Sequence, residues 1–331
     1  MLRTALREVL AALSVRAVRS KLPGEFVDEL YRAFPISEAD RILRGFARRR
    51  YVTLRANTLK ATVDEVLSEL KRAGVKCQRV PWYSDALVIQ NKREQYIESL
   101  ELYVQGKVYL QSLSSMIPPL VLAPQPGETV LDIAAAPGSK TTQMAALMQN
   151  RGRIVAAEID RMRAERLMFN LERQGVTIAE VFTRDGVIVA DEFPESFDRV
   201  LVDAPCSGEG LFIASQPATY NHWSRRMCKR CAVSQRRLFD AAARALKPGG
   251  AMVYSTCTLN PDENELMVES FLKRWDHEFE VLPMKLQVQG WAPALEQVKG
   301  RIVMPEIRHT RRVFPSQLME GFYVALLAKK G

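Results

Sequence analysis

Two cysteines each stand where an apolar run stops. In Val200-Leu-Val-Asp-Ala-Pro-Cys-Ser-Gly-Glu-Gly210, three apolar residues lead into Asp203, and Pro205 holds Cys206 just past the strand end. In Ala251-Met-Val-Tyr-Ser-Thr-Cys257, a second apolar run reaches a polar stop with Cys257 at it. A strand that ends at an acid, a rigid proline and a thiol is poor core material. Open α/β sheets bind their ligands in the crevice at the carboxyl ends of their strands. Successive strands of such a sheet would line one cleft with Cys206 and Cys257. A thiol placed there becomes a nucleophile when positive charge lies near it, and Lys140 is the candidate.

A further strand, Val130-Leu-Asp-Ile133, leaves through Ala134, Ala135, Ala136, Pro137 and Gly138 and enters a helix at Ser139 and Lys140. Small side chains there let a ligand approach the backbone, with a helix N-terminus beneath it. No glycine precedes Lys140 as a Walker loop requires, and only Gly138 of a dinucleotide fingerprint is present. A nucleoside with a charged amino-acid tail and no phosphates fits better. Glu158 ends the next strand, where an acid accepts from the two ribose hydroxyls. Asp185 follows a third strand and would meet an adenine amino group, and Asp203 ends a fourth. Together these acids point to S-adenosylmethionine; taken singly, each is equally suited to capping the helix after it.

These residues need a sheet to hold them. From Gly127 the chain alternates strand, loop and helix, with strands expected at 129–133, 153–159, 178–183, 199–202 and 251–255, and helices at 141–148, 161–174 and 233–246. That alternation means βαβ units and a doubly wound, mostly parallel α/β sheet. Gly321 to Ala328 is apolar on both faces and is expected as a buried last strand. Residues 1–50 read as helices, with Leu2, Leu6, Val9 and Leu10, then Phe26, Leu30 and Phe34, at helical spacing. Residues 51–115 alternate like a small α+β module, and the cluster Pro118, Pro119, Pro124 and Pro126 marks its boundary with a domain over 116–331.

The net charge of +9 is unevenly placed: residues 1–110 hold 20 Lys and Arg against 13 Asp and Glu. A basic N-terminal third points to a polyanion partner held by that module. Arg48, Arg49 and Arg50 form its densest cluster. Five cysteines, an odd number for 331 residues, argue against a disulfide framework. No membrane-length apolar run occurs, and Arg7, Glu8 and Arg16 interrupt any signal-peptide core, so a cytoplasmic, monomeric protein is expected.

The motifs resemble those of the Sun-family RNA (cytosine-5) methyltransferases. They are Asp132-Ile-Ala-Ala-Ala-Pro-Gly-Ser-Lys-Thr-Thr142, Asp203-Ala-Pro-Cys-Ser-Gly208, Tyr254-Ser-Thr-Cys-Thr258 with Glu263-Asn-Glu265, and Arg312-Val-Phe-Pro315 before Gly321-Phe-Tyr323. Leu54 to Leu59 and Gly106 to Ser112 look like that family's N-terminal module. The resemblance covers about residues 50–330 and implies a seven-stranded Rossmann-like methyltransferase sheet, S-adenosylmethionine as cofactor and RNA as substrate. The motif variants lean toward ribosomal-RNA members, with transfer RNA the alternative, and an inactive binding protein a third reading.

The family chemistry adds a thiolate to C6 of cytosine, so that C5 becomes nucleophilic, and a second group manages release. The resemblance gives attack to Cys257 and release to Cys206. The Pro205-Cys206 pair alone would name Cys206 the attacker, as in DNA cytosine methyltransferases, and the residues leave the order open. Asp203 would contact the base edge, protonated if burial raises its pKa. Arg163 resembles the family's basic residue beside the cofactor. A target base must leave its stack to reach such a cleft.

Further RNA contacts are expected from Arg225, Arg226 and Arg312, with Tyr220 and Trp223 available for stacking. Cys228-Lys-Arg-Cys231 with His222 lacks a fourth zinc ligand and reads as the start of a helix, so no metal is expected. With the sequence ending at Gly331, RNA choice is expected to rest on the N-terminal third and the cleft.

Overall fold

The computed structural model describes residues 15–331. The amphipathic start around Leu2, Leu6, Val9 and Leu10 lies outside the described residues. Helices Gly24–Ala33 and Ile36–Phe46 follow, each entered from a proline, Pro23 and Pro35, whose missing N–H leaves nothing unsatisfied there. Phe26, Leu30, Phe34, Ile42 and Phe46 bury their shared face against Phe212, Trp223 and Phe314 of the C-terminal half.

A four-stranded antiparallel sheet comes next. Its strands are β1 (Val52–Ala56), β2 (Cys77–Val80), β3 (Tyr83–Ile89) and β4 (Val108–Leu110), in the order β2-β3-β1-β4. Helix Val63–Arg72 starts in a capping box between Thr62 and Glu65 and buries Val66 and Leu70 against Leu54, Leu87 and Ile89. The pattern of β2 gives no sign of a strand. Only Val80 of its four residues is buried, and pairing with β3 makes it one.

Part of the proline cluster lies within a helix. Residues Leu113–Leu122 form a helix with Pro118 and Pro119 inside it. Pro119 cannot donate to the Ser115 carbonyl, and the Gln111 side-chain amide donates to it instead at 3.1 Å. The helix packs Met116 and Ile117 onto the main sheet and so bridges the two halves.

The main sheet contains β5 (Thr129–Asp132), β6 (Arg153–Ala157), β7 (Ala179–Phe182), β8 (Phe197–Asp203) and β9 (Leu246–Thr256). β10 (Phe279–Leu282) and β11 (Trp291–Pro293) follow; β12 (Gln297–Val298) and β13 (Arg301–Ile302) pair only with each other; β14 (Arg311–Val313) and β15 (Phe322–Lys329) complete it. The order is β11-β14-β15-β9-β8-β5-β6-β7, with β10 also on β15. β7, β6, β5, β8 and β9 are mutually parallel, and β15 inserts antiparallel beside β9. The sheet thus has nine strands where seven were expected; the additions, β11 and β14, are three residues each, too short for a readable period.

Alternate residues feed opposite layers: Leu131, Val155, Val200 and Met252 into one core, Val130, Ile154, Leu201 and Val253 into the other. Helices cover both faces, as buried parallel strands require. The carboxyl ends of β5, β6, β8 and β9 therefore deliver Asp132, Glu158, Asp203 and Cys257 to one edge.

Candidate active site

β8 and β9 are parallel neighbours in a register that sets Asp203 beside Ser255. The loops beyond them bring Cys206 and Cys257 to an Sγ–Sγ separation of 3.2 Å, both half-buried. The hydrogen bond shared with Cys257, reinforced by burial, pushes the Cys206 thiol well above its ordinary range. Cys206 therefore keeps its proton, and either thiol can donate in the pair.

Close backbone approach fixes these loops. Gly210 donates to the Cys257 carbonyl at 2.9 Å and accepts from Gly321 at 3.0 Å. A Cβ on Gly210 would lie 2.0 Å from the Gly321 oxygen, so the glycine is required there.

The Lys140 ammonium lies 2.7 Å from Asp203 Oδ2 and donates to Ser115 Oγ at 2.8 Å. Burial pulls its pKa down, but Asp203, then Asp132 and Cys257, outweigh this and raise it. Lys140 thus engages Asp203 most strongly, with Cys257 a lesser contributor. Asp203 Oδ1 accepts from Ser255 Oγ at 2.7 Å, and the side chain is only partly buried. Beneath it, Asp132 is fully buried, accepts from Thr141 at 2.7 Å and is pushed up to about 7, by burial first.

The small-residue loop is held from behind. Arg163 donates to the Ala136 carbonyl at 2.9 Å, and Asn170 to that of Pro137 at 2.8 Å. Gly138 takes a left-handed φ of 100° before helix Ser139–Leu147 begins. A cavity of about 180 Å³ opens here, with Ala134, Glu158, Arg163 and Asp185 in its lining. Glu158 is buried and accepts from the Asp160 N–H at 3.0 Å, which leaves acceptor capacity toward the cavity. Asp185 caps helix Gly186–Asp191 through the Val187 N–H at 3.0 Å, so the capping alternative holds for it even as it lines the cavity. A buried acid and an uncrowded backbone fit a nucleoside carrying an amino-acid tail.

A sequence profile described as 16S rRNA methyltransferase RsmB/F matches residues 119–328, and one for the ferredoxin-like domain of RsmF/B-like methyltransferases matches residues 22–100. The chain belongs to the RsmB/F methyltransferase family. Ribosomal RNA small subunit methyltransferase F of Cronobacter sakazakii is 38% identical over 93% of this chain and 63% of its own length. The chain therefore spans just under two thirds of that relative. The tRNA (cytosine(49)-C(5))-methyltransferase of Pyrococcus abyssi is 41% identical over 84% of this chain and 88% of its own. A crystal structure of a methyltransferase homologue from Pyrococcus horikoshii superposes with a TM-score of 0.82 at 33% identity, covering 96% of this chain and 98% of that one.

On this RsmB/F framework several expected RNA contacts change. Arg312 is fully buried on β14: it pairs with Glu265, donates to the Leu259 carbonyl at 2.9 Å and stacks near Phe34 and Tyr323, so it cannot reach RNA. Arg50 turns inward to the carbonyls of Gly210, Leu211 and Phe212 at 2.8, 3.2 and 3.3 Å. Tyr220 and Trp223 are buried in the aromatic cluster around Phe26 and Phe212 and offer no stacking face. Arg48, Arg49 and Arg226 are exposed, while Arg225, also exposed, pairs with Glu25 and Glu29. Cys228 and Cys231 sit in helix Arg225–Ala245, which starts before the expected Val233 because its charged first turns mask the period.

Sequence reasoning missed the polar residues under the cysteines: Ser207, Thr258, Glu209 and Glu263 are all buried. The signal was Glu263-Asn-Glu265, an acid pair directly after a cysteine-bearing strand.

Proposed function

We propose that the protein is an S-adenosylmethionine-dependent RNA (cytosine-C5) methyltransferase acting on ribosomal RNA. The observation that carries the reading is the pair of half-buried thiols 3.2 Å apart at the carboxyl edge of the sheet, beside the Lys140–Asp203 ion pair. Cys257 releases its thiol proton to solvent and adds through sulfur to C6 of the cytosine, breaking the C5–C6 double bond and giving the electron pair to C5. S-adenosylmethionine, when bound, supplies the methyl group that C5 accepts. The C5 proton then passes to the Cys206 sulfur while that thiol's own proton goes to Cys257, as the double bond re-forms and the bond from Cys257 sulfur to C6 breaks. Cys206, protonated and in contact with Cys257 in the resting site, serves this release. Asp203, held by Lys140 and Ser255, presents its carboxylate to the base edge. Ala134 to Lys140, Glu158, Arg163 and Asp185 form the cofactor side.

Ribosomal RNA is favoured by the 16S rRNA description of the matching profile. Transfer RNA is the second reading, favoured by the relative that covers 88% of its own length. Residues 51–115 act as the RNA-binding module and 116–331 as the catalytic domain, and exposed Arg48, Arg49 and Arg226 belong to the RNA footprint. The enzyme works as a cytoplasmic monomer; among the described residues no helix is long and apolar enough to cross a membrane. Bisulfite sequencing of total RNA from cells with and without the protein tests the reading: a protected cytosine that depends on it names the target. S-adenosylmethionine binding with no protein-dependent 5-methylcytosine would instead mark an inactive binding protein.

A further inference from the structure

Glu209 and Glu263 are fully enclosed, and a carboxylate oxygen of each lies within 4.8 Å of the other and of Cys228 Sγ. The residues that follow the two cysteines meet directly above them. Ser207 Oγ and Thr258 Oγ1 are 2.7 Å apart, Ser207 Oγ donates to Glu263 Oε1 at 2.5 Å, and the Ser207 N–H donates to Glu263 Oε2 at 3.0 Å. Gln235 adds a donor to Glu263 at 2.8 Å, and Trp223 Nε1 donates to Glu209 at 3.0 Å.

Two like charges this close in a dry site do not both ionise. The titratable groups facing the pair are Cys206, Cys228, Cys231, Tyr254 and Asp262, none of which is a cation. Arg312 faces Glu209 but is already bound to Glu265. We propose that Glu209 and Glu263 hold a single proton between them, and that this buried dyad, through Ser207 and Thr258, is the positioning element that sets the spacing of Cys206 and Cys257. With Glu263 ionised, the hydroxyls run from Thr258 to Ser207 to Glu263. With the proton on Glu263, the chain reverses and Thr258 donates away from Ser207. In either state one hydrogen bond ties the Cys206 loop to the Cys257 loop, and a hydroxyl pair has no need of an outside donor.

The direct test is infrared difference spectroscopy of the purified protein at pH 7. It needs no RNA, so it stands apart from the proposed function, on which only the kinetic test below rests. One protonated-carboxyl band is expected from the dyad, shifted or lost in both Glu209→Gln and Glu263→Gln; a spectrum unchanged by both would overturn the shared proton. With an active RNA, Ser207→Ala and Thr258→Val are each expected to lower kcat about 10-fold with KM for S-adenosylmethionine unchanged, and Thr258→Ser to restore it. A proportional rise in KM, or no rescue by serine, would overturn the positioning role.

Discussion

Arg312 and Glu265 meet as a two-point pair in which neither side chain reaches solvent. Removing one member of such a pair strands a buried charge, at a cost of about 3–5 kcal/mol. Arg312→Met is therefore expected to lower the urea-unfolding free energy by about that much, whereas Arg312→Met with Glu265→Leu recovers most of it. RNA affinity of the folded fraction should not change. A loss of RNA binding without loss of stability would return Arg312 to the footprint.

The thiol pair gives the sharpest kinetic expectation. Cys257→Ala should abolish methyl transfer and leave cofactor affinity near the wild-type value. Cys206→Ala should accumulate a covalent protein–RNA adduct, seen as a retarded band on a denaturing gel. If Cys257→Ala produces that band instead, the two roles exchange.

Lys140 depends on Asp203 for its charge, since burial alone would lower its pKa. Asp203→Asn removes the ion-pair partner at 2.7 Å and leaves the Lys140 ammonium enclosed. Activity is expected to fall at least ~100-fold, as for loss of a group that contacts the reacting base. Stability should fall as well, and a Lys140→Met, Asp203→Asn double variant should regain stability without activity. Two additive stability losses would argue against coupling between the residues.

Glu209 ties stability to pH. Burial first, then the Glu263 charge, raises it to about 7, above an ordinary 4.5. Below pH 4.5 the carboxyl is neutral in both folded and unfolded chains. As pH rises from about 4.5 to 7 the unfolded chain ionises more readily, and the folded state loses up to roughly 3 kcal/mol from this group. Glu209→Gln should therefore be nearly as stable as wild type at pH 5 and more stable at pH 8. Denaturant titrations at the two pH values decide it; an advantage equal at both would refute the burial of an ionisable Glu209.

Electrostatics should separate Arg48 and Arg49 from Arg50. Neutralising the two exposed arginines is expected to lower the slope of log affinity against log salt by about 1–2, since each arginine that neutralises a phosphate contributes about one. Arg50→Ala should leave that slope alone and instead disturb the 210–212 backbone, because its guanidinium is spent on three carbonyls. Filter binding across a salt series would show both effects, and an unchanged slope for Arg48 and Arg49 would remove them from the RNA path.

The parts of this fold that repeat were readable. Helix Arg161–Gln174 has the bounds expected, and β8 stops at Asp203 because an apolar run meets an acid. Both cysteines, Lys140 and the three acids Glu158, Asp185 and Asp203 fall at or near one sheet edge, since strand ends carry a local signal. Partners from distant parts of the chain were not readable. Nothing local to Arg312 says that Glu265 awaits it, and a run of three arginines does not tell which one turns inward. Pro118 and Pro119 read as a break because the compensating donor, Gln111, lies outside the helix it repairs. Tyr220 and Trp223 looked like stacking faces until helices Gly24–Ala33 and Ile36–Phe46 covered them.

Arg55 carries a consequence for how freely the halves could be exchanged. It rises from β1, is wholly buried, and reaches Gln111 at 3.2 Å and Thr142, beside the cofactor loop, at 3.1 Å. Arg50 likewise crosses into the Gly210 loop. The N-terminal part is thus a keyed component and not an interchangeable adaptor: a chimera joined near residue 115 must import both arginines with their sockets, or retarget the enzyme at the expense of a properly seated catalytic loop.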